Sequence, residues 1–485
     1  MTTDRRTFLG ASLSAGLGAT ATIASGTNGL MSAAQADSDR APHLGGDISW
    51  DPGIRDAAAH DFGGMIHKQP RAVFKPASGA DIARLMRWAK EHGLKVAARG
   101  QGHSIYGRAL AEDGVVIDMG AISKIHHLHP ERIVVDAGAT WKTVLEATLA
   151  QGLTPPVLTN YLGLSVGGTL AVGGIGAMSS RHGMQTDHVS EIDVVTGDGR
   201  EMTCSATSRS DFFDAVRGGL GQCGIVTRAT LSLVRAPQRV RRYQLFYRDL
   251  ASLTADQRRA LNEARFDQLQ GAILPGGSGG WQYQLEGAVF YDGEATPDDN
   301  AVLSALSDDR KLAIITDLSY RDDALAFARF EQLLRSKGQW TNPLPWLLTF
   351  LRGSNAEQIA REVLDGMSAA HIGPFGRMTY YPLRTRAFRT PLVRLPDEDI
   401  VFPFNLIRIP ASNDPLTAGV MVAQNRALYD RIRSAGGVQY PISAVTMSPA
   451  DWQGHFGPSW PQLRAAKRRY DPSNLLTPGY HLSCG

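Results

Sequence analysis

Apolar residues in the first half of the chain recur at helical and strand spacings. Residues 81–92 place Ile, Leu, Met and Ala side chains on one helical face, which predicts an amphipathic helix with Ser78 as its N-cap. β-Branched runs at 115–118 and 133–136 predict strands, and residues 143–151 predict a second helix. This part of the chain therefore alternates strands with amphipathic helices.

A strand predicted at 95–98 runs into a glycine-rich segment that contains a histidine. Residues 99–104 read Arg-Gly-Gln-Gly-His-Ser, and Gly107 follows. Glycine has no Cβ, so the backbone there can approach a large flat or phosphorylated ligand. The pattern indicates a cofactor cradle in which His103 could be covalently bonded, although a Gly-x-Gly pair alone is more typical of a tight turn.

A second segment, residues 161–176, combines many glycines with small and apolar residues. It has too much glycine for a stable helix and too little polarity for a linker. We therefore expect non-helical backbone packed against a ligand. Residues 189–199 then predict a strand that ends in a hairpin turn at Asp198-Gly199.

A third glycine cluster, residues 219–224, matches the G-x-G-x-x-G fingerprint of dinucleotide-binding sites. That fingerprint requires a preceding strand and a following helix. Here residues 210–217 predict a short helix, and the β-branched alternation of 225–234 predicts a strand. The order is reversed, which excludes a Rossmann site.

Taken together, these segments resemble the FAD-linked oxidases of the vanillyl-alcohol oxidase superfamily, and most closely cytokinin dehydrogenase. That family carries R-G-x-G-H-S-x-x-G, Y-L-x-L-[ST]-V-G-G-T-L, R-H-G before a strand, and G-G-L-G-Q-x-G-[IV]-[IV]-T. This chain matches them in order at 99–107, 161–170, 181–183 and 218–227. Further likeness lies at 285–290, 338–347, 373–383 and 470–479, so the resemblance covers nearly everything after about the first forty residues.

The resemblance implies an α+β fold with two parts. A two-subdomain FAD-binding domain of the PCMH type would span 37–236, with FAD between its subdomains. An α+β substrate domain with an antiparallel sheet would span 237–439 and contain long helices such as 324–336. Residues 440–485 would return to the FAD-binding domain.

The resemblance also implies which residues bind FAD. His103 would carry the flavin covalently through its 8α-methyl group, and no cysteine stands where berberine-bridge relatives add a second bond. Gly100, Gln101, Gly102 and Ser104 would contact the diphosphate, which needs N–H donors. Ser165, Gly168, Thr169 and Ala171 would line the same cleft, and Ile225 and Val226 would meet the adenine end. Arg108, Asn160, Thr477 and Tyr480 complete the expected cofactor-binding set.

The implied reaction is hydride transfer from a carbon next to nitrogen to flavin N5, followed by hydrolysis of the imine. Cytokinin dehydrogenases use an aspartate to accept the amine proton, and this chain has Asn160 at that position. An amide cannot act as a general base near neutral pH. Glu286 matches the family's entrance carboxylate, which meets the substrate, although an ordinary surface glutamate on a strand is an equal interpretation.

Other departures indicate a changed pocket. Arg108 and Tyr480 replace glutamines of the plant members, and Phe388 stands where some of them place a tryptophan over the substrate. The enzyme could therefore be slow on cytokinins, use water or another carboxylate as base, or act on another substrate. For Asn160 itself, a turn or capping role is a competing interpretation.

Three functions remain open from the sequence. The first is a covalent-FAD amine oxidase or dehydrogenase of the cytokinin dehydrogenase type. The second is an oxidase of the same fold acting on an alcohol, sugar or secondary metabolite. The third is a flavin-binding or electron-transfer protein without turnover. The first two need a small-molecule substrate and an external electron acceptor such as oxygen or a quinone.

The N-terminus predicts export. Arg5-Arg6 precede Thr-Phe-Leu, a mild Ala/Gly/Ser stretch and Ala34-Gln35-Ala36, as in a twin-arginine signal with a small-x-small cleavage site. We expect cleavage after Ala36 and a periplasmic or extracellular protein with no membrane association afterwards. This pathway carries folded proteins, which suits an enzyme that acquires its cofactor inside the cell.

Composition narrows the remaining classes. The 485 residues carry a formal net charge of +3 without a basic block, which argues against a nucleic-acid partner. Cysteines occur only at Cys204, Cys223 and Cys484, too few and too irregular for a disulfide framework or a zinc site. No metal is expected.

Overall fold

The computed structural model describes residues 44–277 and 279–482. The twin-arginine signal, its cleavage site and Cys484 lie outside the described residues. Of the predicted helices, 81–92 is observed as Gly79–Glu91 with Ser78 as N-cap, because the Ser78 hydroxyl accepts a hydrogen bond from the Asp81 amide. The helix predicted at 143–151 is observed as Trp141–Leu149, with Thr140 as its cap.

Two small sheets form the first half of the chain. The first sheet has four strands, and three of them are parallel. In spatial order they are Asp47–Ser49, Ala72–Lys75, Val115–Asp118 and Val96–Arg99. The second sheet has five antiparallel strands, in the order Ile125–His129, Arg132–Asp136, Gly224–Ser232, Val189–Thr196 and Glu201–Ser205. The hairpin predicted at Asp198-Gly199 joins the last two strands.

A nine-stranded antiparallel sheet follows. Its continuous path runs through Ile314–Ser319, Arg239–Tyr247, Trp281–Tyr291, Gln268–Pro275, Arg377–Tyr380, Ile400–Ile407, Leu347–Arg352 and Val438–Gln439, and Leu383–Arg384 pairs with Ile400–Ile407. The short strands Leu153–Thr154 and Val234–Arg235 pair separately. One apolar cluster connects all three large sheets, from Phe74 through Ile133 to Leu285.

The α-helices of the described residues lie around these sheets. They are Pro52–Ala58, Gly79–Glu91, Trp141–Leu149, Val166–Leu170, Ser179–His182, Ser210–Val216, Leu250–Asn262, Asp299–Val302, Tyr320–Ala324, Phe327–Ser336, Ala356–Asp365, Pro415–Ser434, Pro449–Phe456 and Trp460–Tyr470. None of the described helices is both long and apolar enough to span a bilayer. The helix expected at 324–336 is in fact two, which meet at residues 325–326.

The prediction that residues 161–176 form non-helical backbone is wrong in part, because Val166–Leu170 is a short helix. Tertiary contacts explain why glycine is tolerated there. A Cβ at Gly167 would lie 2.8 Å from Ala137 Cβ, so the helix packs closer to the second sheet than a larger residue allows. Trp141 Nε1 also donates to Thr169 Oγ1 at 2.8 Å, which fixes the helix from the other side. Packing therefore overrides the low helix propensity of the sequence.

The C-terminal segment adds to the edge of the first sheet. Val96 donates to Leu475 O and accepts from the Thr477 amide, both at 2.9 Å. The buried Asp471 carboxylate accepts from the Leu475 and Leu476 amides and forms an ion pair of 2.7 Å with Lys467. This network places Thr477 and Tyr480 beside the loop that follows Val96–Arg99.

Candidate active site

A cavity of about 1230 Å³ is lined by residues from all three large sheets and from the C-terminal segment. Nearly all the site residues predicted from the sequence line it. They are Gly100, Gln101, Gly102, His103, Ser104, Arg108, Asn160, Ser165, Gly168, Thr169, Ala171, Ile225, Val226, Glu286, Thr477 and Tyr480. The fold thus brings together segments that are far apart in the sequence.

Phe388 does not line the cavity. It packs against a second apolar cluster, whose members Tyr381 and Tyr440 do line it. Phe388 therefore lies behind Tyr381 and Tyr440 in the described part of the chain. The sequence did not reveal this, because the cluster that Phe388 packs against is formed by residues distant in sequence, such as Met184 and Tyr440.

The loop after Val96–Arg99 presents His103 to the cavity. Arg99 Nη1 donates to Ala58 O and His60 O, each at 2.9 Å, which ties the start of the loop to the preceding segment. Gly102 has a φ of +68°, and a Cβ there would lie 2.6 Å from Arg99 Nη2. This left-handed turn against the arginine side chain needs glycine.

Aromatic rings enclose the His103 imidazole. Phe62 stacks on it with centroids 3.9 Å apart, and Tyr161 lies at 4.9 Å. Trp340 and Trp346 follow at 5.8 and 6.1 Å. Because burial disfavours the charged imidazolium, the pKa of His103 falls to about 4. The ring is therefore neutral at pH 7, which leaves a nitrogen lone pair available as a nucleophile.

Sequence reasoning missed this aromatic wall. Trp340 and Trp346 lie in a segment that resembles the family, so this resemblance could have identified them as residues of the site. Phe62 lies before the first matched motif and carried no signal. It reaches His103 because its amide donates to Ser104 O at 2.9 Å, which joins two segments forty residues apart.

Close backbone approaches form the floor of the cleft. A Cβ at Gly100 would clash with Ser165 Oγ, and one at Gly168 would lie 2.8 Å from the same atom. A Cβ at Gly221 would lie 2.9 Å from Thr477 Oγ1, whose hydroxyl donates to Gly221 O. The glycines therefore let four chain segments meet in one narrow cleft.

The rejected dinucleotide fingerprint has a different role in this cleft. It lies between the helix Ser210–Val216 and the strand Gly224–Ser232, as the sequence predicts. Gln222 Nε2 donates to Thr477 O at 3.1 Å, so the loop holds the C-terminal segment in place. Its glycines serve chain packing, and Ile225 and Val226 beyond it line the cavity.

Arg108 is a buried cation on the cavity wall, only 5% exposed. Its Nη1 and Nη2 donate to Gly479 O and Val445 O at 3.3 and 3.0 Å, and its Nε has no hydrogen-bond partner among the described residues. Its guanidinium carbon lies 5.0 Å from the Tyr480 ring centroid. These partners carry no full negative charge, and burial lowers the pKa of Arg108. An anionic ligand in the cavity would compensate this charge.

The face of the nine-stranded sheet that lines the cavity is polar. Arg377 Nη2 donates to Glu286 Oε1 at 2.8 Å, and both residues line the cavity. Asn160 Nδ2 donates to Gln270 Oε1 at 3.3 Å. Gln270 is the cross-strand partner of Glu286, so the asparagine and the ion pair lie on either side of one glutamine. The structure thus places both catalytic candidates next to Gln270 in the cavity wall.

Two carboxylates, Glu286 and Asp323, line the cavity among the described residues, and both are ion-paired. Asp323 accepts from Arg242 at 2.8 Å and from Gln268 at 3.0 Å. Each of these carboxylates therefore already accepts a hydrogen bond from an arginine of the sheet. Among the described residues that line the cavity, no unpaired carboxylate stands in for the aspartate that Asn160 replaces.

The cleft fits FAD by its own chemistry. Glycine-lined backbone suits a diphosphate, the buried Arg108 lacks an anionic partner, and aromatic rings surround a neutral histidine. When bound, FAD would supply a two-electron acceptor that the amino-acid side chains cannot provide.

Comparisons with known proteins agree with this geometry. Residues 70–205 match the family described as FAD binding domain, and 272–482 match the family described as cytokinin dehydrogenase 1, FAD and cytokinin binding. An uncharacterized oxidoreductase, ORF5 in the fasciation locus of Rhodococcoides fascians, is 40% identical, over 88% of this chain and 97% of that protein. Cytokinin dehydrogenase 10 of Oryza sativa subsp. japonica is 35% identical, over 87% and 86%.

A solved structure shows the same fold. The crystal structure of 6-hydroxy-D-nicotine oxidase from Arthrobacter nicotinovorans superposes with a TM-score of 0.71 and covers 91% of this chain and 98% of that one. At 21% identity this likeness concerns the fold alone.

Fold and cleft together define an FAD-dependent oxidoreductase of the vanillyl-alcohol oxidase superfamily, with a PCMH-type FAD-binding domain. Within that class, the chain belongs to the cytokinin dehydrogenase family.

The unpaired charge of Arg108 leads to a prediction. We expect Arg108→Met to weaken FAD binding at least tenfold. The unfolding temperature of the FAD-free chain should change much less, because loss of the hydrogen bonds to Gly479 O and Val445 O is offset by removal of a buried charge that lacks an anionic partner. Arg108→Lys should keep part of the affinity. FAD titration and thermal unfolding in a His103→Ala background measure both. An Arg108→Met chain that binds FAD as tightly as its parent would contradict the assignment.

Proposed function

We propose that this protein oxidises a C–N bond of a small amine of the cytokinin type, with FAD bonded to His103. The observation that carries the proposal is the shared cavity. There a neutral, partly buried histidine, an arginine without an anionic partner among the described residues and a polar sheet face meet. The family membership supports FAD chemistry, and 32–35% identity to plant cytokinin dehydrogenases supports the substrate class.

The proposed role of each side chain follows from its place in the cavity. His103, held by Phe62 and the loop of Arg99, would hold the flavin through a bond from its imidazole nitrogen to the 8α carbon. The two protons and two electrons released when this bond replaces a C–H bond would pass to the external acceptor. The aromatic wall of Tyr161, Trp340 and Trp346 would exclude water and sandwich a flat substrate. Glu286, oriented by Arg377, would accept a hydrogen bond from a substrate N–H group.

When bound in this cleft, FAD would supply the hydride acceptor for the carbon next to nitrogen, and water would hydrolyse the resulting imine. Asn160 would hold the amine by a hydrogen bond without taking its proton. The proton would then leave to water, which predicts slower turnover than in relatives with an aspartate. Oxygen or a quinone would reoxidise the flavin.

We also propose that the enzyme acts outside the cytoplasm. The support is the twin-arginine pattern at Arg5-Arg6 and the Ala34-Gln35-Ala36 cleavage site, after which the mature chain would begin at Asp37. A covalent flavin suits such a location, because a lost cofactor cannot be replaced there.

A second candidate rests on a specific observation. Asn160, an amide at the family's aspartate position, motivates a different substrate, and oxidation of an alcohol or a sugar would also require a proton acceptor. An alcohol, a sugar or a secondary metabolite is the alternative substrate class for the same fold and cofactor.

An anaerobic substrate screen separates these functions. We expect isopentenyladenine to bleach the flavin absorbance of the purified enzyme, slowly because a base is missing, with an alkyl-free adenine as the unreactive control. Bleaching by an alcohol or sugar but by no cytokinin would overturn the amine assignment. A flavin that no organic substrate reduces would indicate a protein without turnover.

A further inference from the structure

A cluster of two histidines and one aspartate lies outside the cavity, at the base of a short hairpin. The residues are Asp56, near the end of the helix Pro52–Ala58, then His60 and His67. Asp56 and His60 are four residues apart. His60 and His67 pair as an antiparallel β-bridge, which puts their side chains next to each other.

The ligand atoms of the cluster converge on one point. Both His60 Nε2 and His67 Nε2 lie 3.8 Å from Asp56 Oδ1, and the three atoms all lie within 4.8 Å of one another. The imidazole centroids are 4.7 Å apart. A tetrahedral zinc ion with bonds of about 2.0–2.1 Å spaces its ligand atoms by about 3.3 Å. Small rotations of these solvent-exposed side chains would close the difference.

The neighbouring cations are directed elsewhere. Arg55 Nε donates to Pro70 O at 2.8 Å. Lys68 Nζ lies 3.4 Å from His481 Nε2, beside the C-terminal segment. Among the described residues of this segment, the two imidazoles and the carboxylate therefore pair only with one another, and neither Arg55 nor Lys68 competes for the carboxylate.

From this arrangement we propose that Asp56, His60 and His67 bind one divalent transition-metal ion of the zinc class. Two neutral nitrogens and one carboxylate oxygen are ligands that Zn²⁺ accepts, and the exposure of the cluster leaves a fourth position for water. Ni²⁺ and Cu²⁺ favour the same nitrogen ligands, whereas Ca²⁺ and Mg²⁺ prefer oxygen.

A metal ion in this site would stiffen the hairpin that carries Phe62 to the cavity. The hairpin is closed by Lys68 N donating to Ala59 O at 2.9 Å and Asp61 N donating to Ile66 O at 3.3 Å. Its tip carries Phe62, which stacks on His103. A metal at the base would join the helix Pro52–Ala58 to both arms of this hairpin. The ion would thus stiffen the element that covers the histidine, without entering the reaction.

Calorimetric titration of the full holoenzyme, free of any histidine tag, with zinc chloride tests the proposal. We expect one equivalent to bind, and His60→Gln or His67→Gln to abolish that binding. His126→Gln is the matched control, because His126 also has a carboxylate, Asp136, at 2.6 Å but belongs to no such triad. The control should bind zinc as the parent does.

Hydrogen exchange provides a second measurement. Zinc should slow amide exchange in residues 59–68 of the parent and of His126→Gln, and calcium should not. The His→Gln chains should unfold at the parental temperature without zinc, since these side chains are exposed. A parent that takes up no zinc, or a His67→Gln chain that binds it unchanged, would overturn the proposal. Binding that leaves exchange in 59–68 unchanged would overturn the stiffening role.

Discussion

In the His103→Ala variant, no flavin is expected to remain bonded to the chain after denaturation. The imidazole lines the cleft, is neutral at pH 7, and is held between Phe62 and Tyr161 in a fixed orientation. Without its ring nitrogen, the chain has no nucleophile at this point of the loop. Acid precipitation followed by fluorescence of the denatured band measures the covalent fraction, which should fall from the parental value to background.

His182→Ala is the matched control for this experiment. His182 belongs to the R-H-G motif of the same family but is exposed and is not among the cavity residues. It should keep its fluorescent band. A His103→Ala chain that remains yellow and fluorescent after denaturation would refute the attachment site.

The attachment also has an expected pH dependence. Burial lowers the pKa of His103 to about 4 from an ordinary value near 6.5, so the reactive neutral form persists in mildly acidic solution. Incubation of the FAD-free chain with FAD should therefore form the bond equally well at pH 7 and pH 5.5. The yield should drop as the pH approaches 4, where the imidazole gains a proton.

Asn160→Asp is expected to raise cytokinin turnover by about a hundred- to ten-thousand-fold, the usual contribution of a positioned base. The new carboxylate would occupy the place where Asn160 now contacts Gln270, and a reoriented Gln270 amide could donate to it. That hydrogen bond would favour the ionised form, which is the form that accepts a proton. Steady-state rates and anaerobic flavin reduction with isopentenyladenine measure the gain.

Asn405→Asp is the control that tests whether a gain in Asn160→Asp comes from a positioned base or only from an added negative charge in the cavity. Asn405 also lines the cavity, where its Nδ2 donates to Thr379 Oγ1 at 2.8 Å, on a strand away from Gln270. The same substitution there should leave the rate of flavin reduction nearly unchanged. Equal gains in both variants, or no gain at Asn160, would mean that the proton leaves by another route.

Much of the fold could be predicted because local patterns agree with tertiary packing. The helix Gly79–Glu91 has its cap and its apolar face in the sequence, and the structure uses both. The loop at 219–224 was separable from a Rossmann site because the periodicity on either side shows a helix before it and a strand after it.

The structure differs from the predictions where contacts between residues distant in sequence determine the local conformation. Glycine propensity argues against the helix Val166–Leu170, yet packing on Ala137 and Trp141 stabilises it. Phe388 was expected over the substrate by resemblance, whereas in the structure it packs against the apolar cluster that contains Tyr381 and Tyr440.

The sequence by itself determined the family, the cofactor cleft and the loss of an aspartate at Asn160, because ordered motifs preserve the chemical groups and their spacing. Only the tertiary structure decided that Arg108 is buried without an anion, that both cavity carboxylates are ion-paired, and that Phe62 covers His103. It also brought Asp56, His60 and His67 together. The physical reason is that burial, charge pairing and ring stacking depend on segments that no local pattern relates to one another.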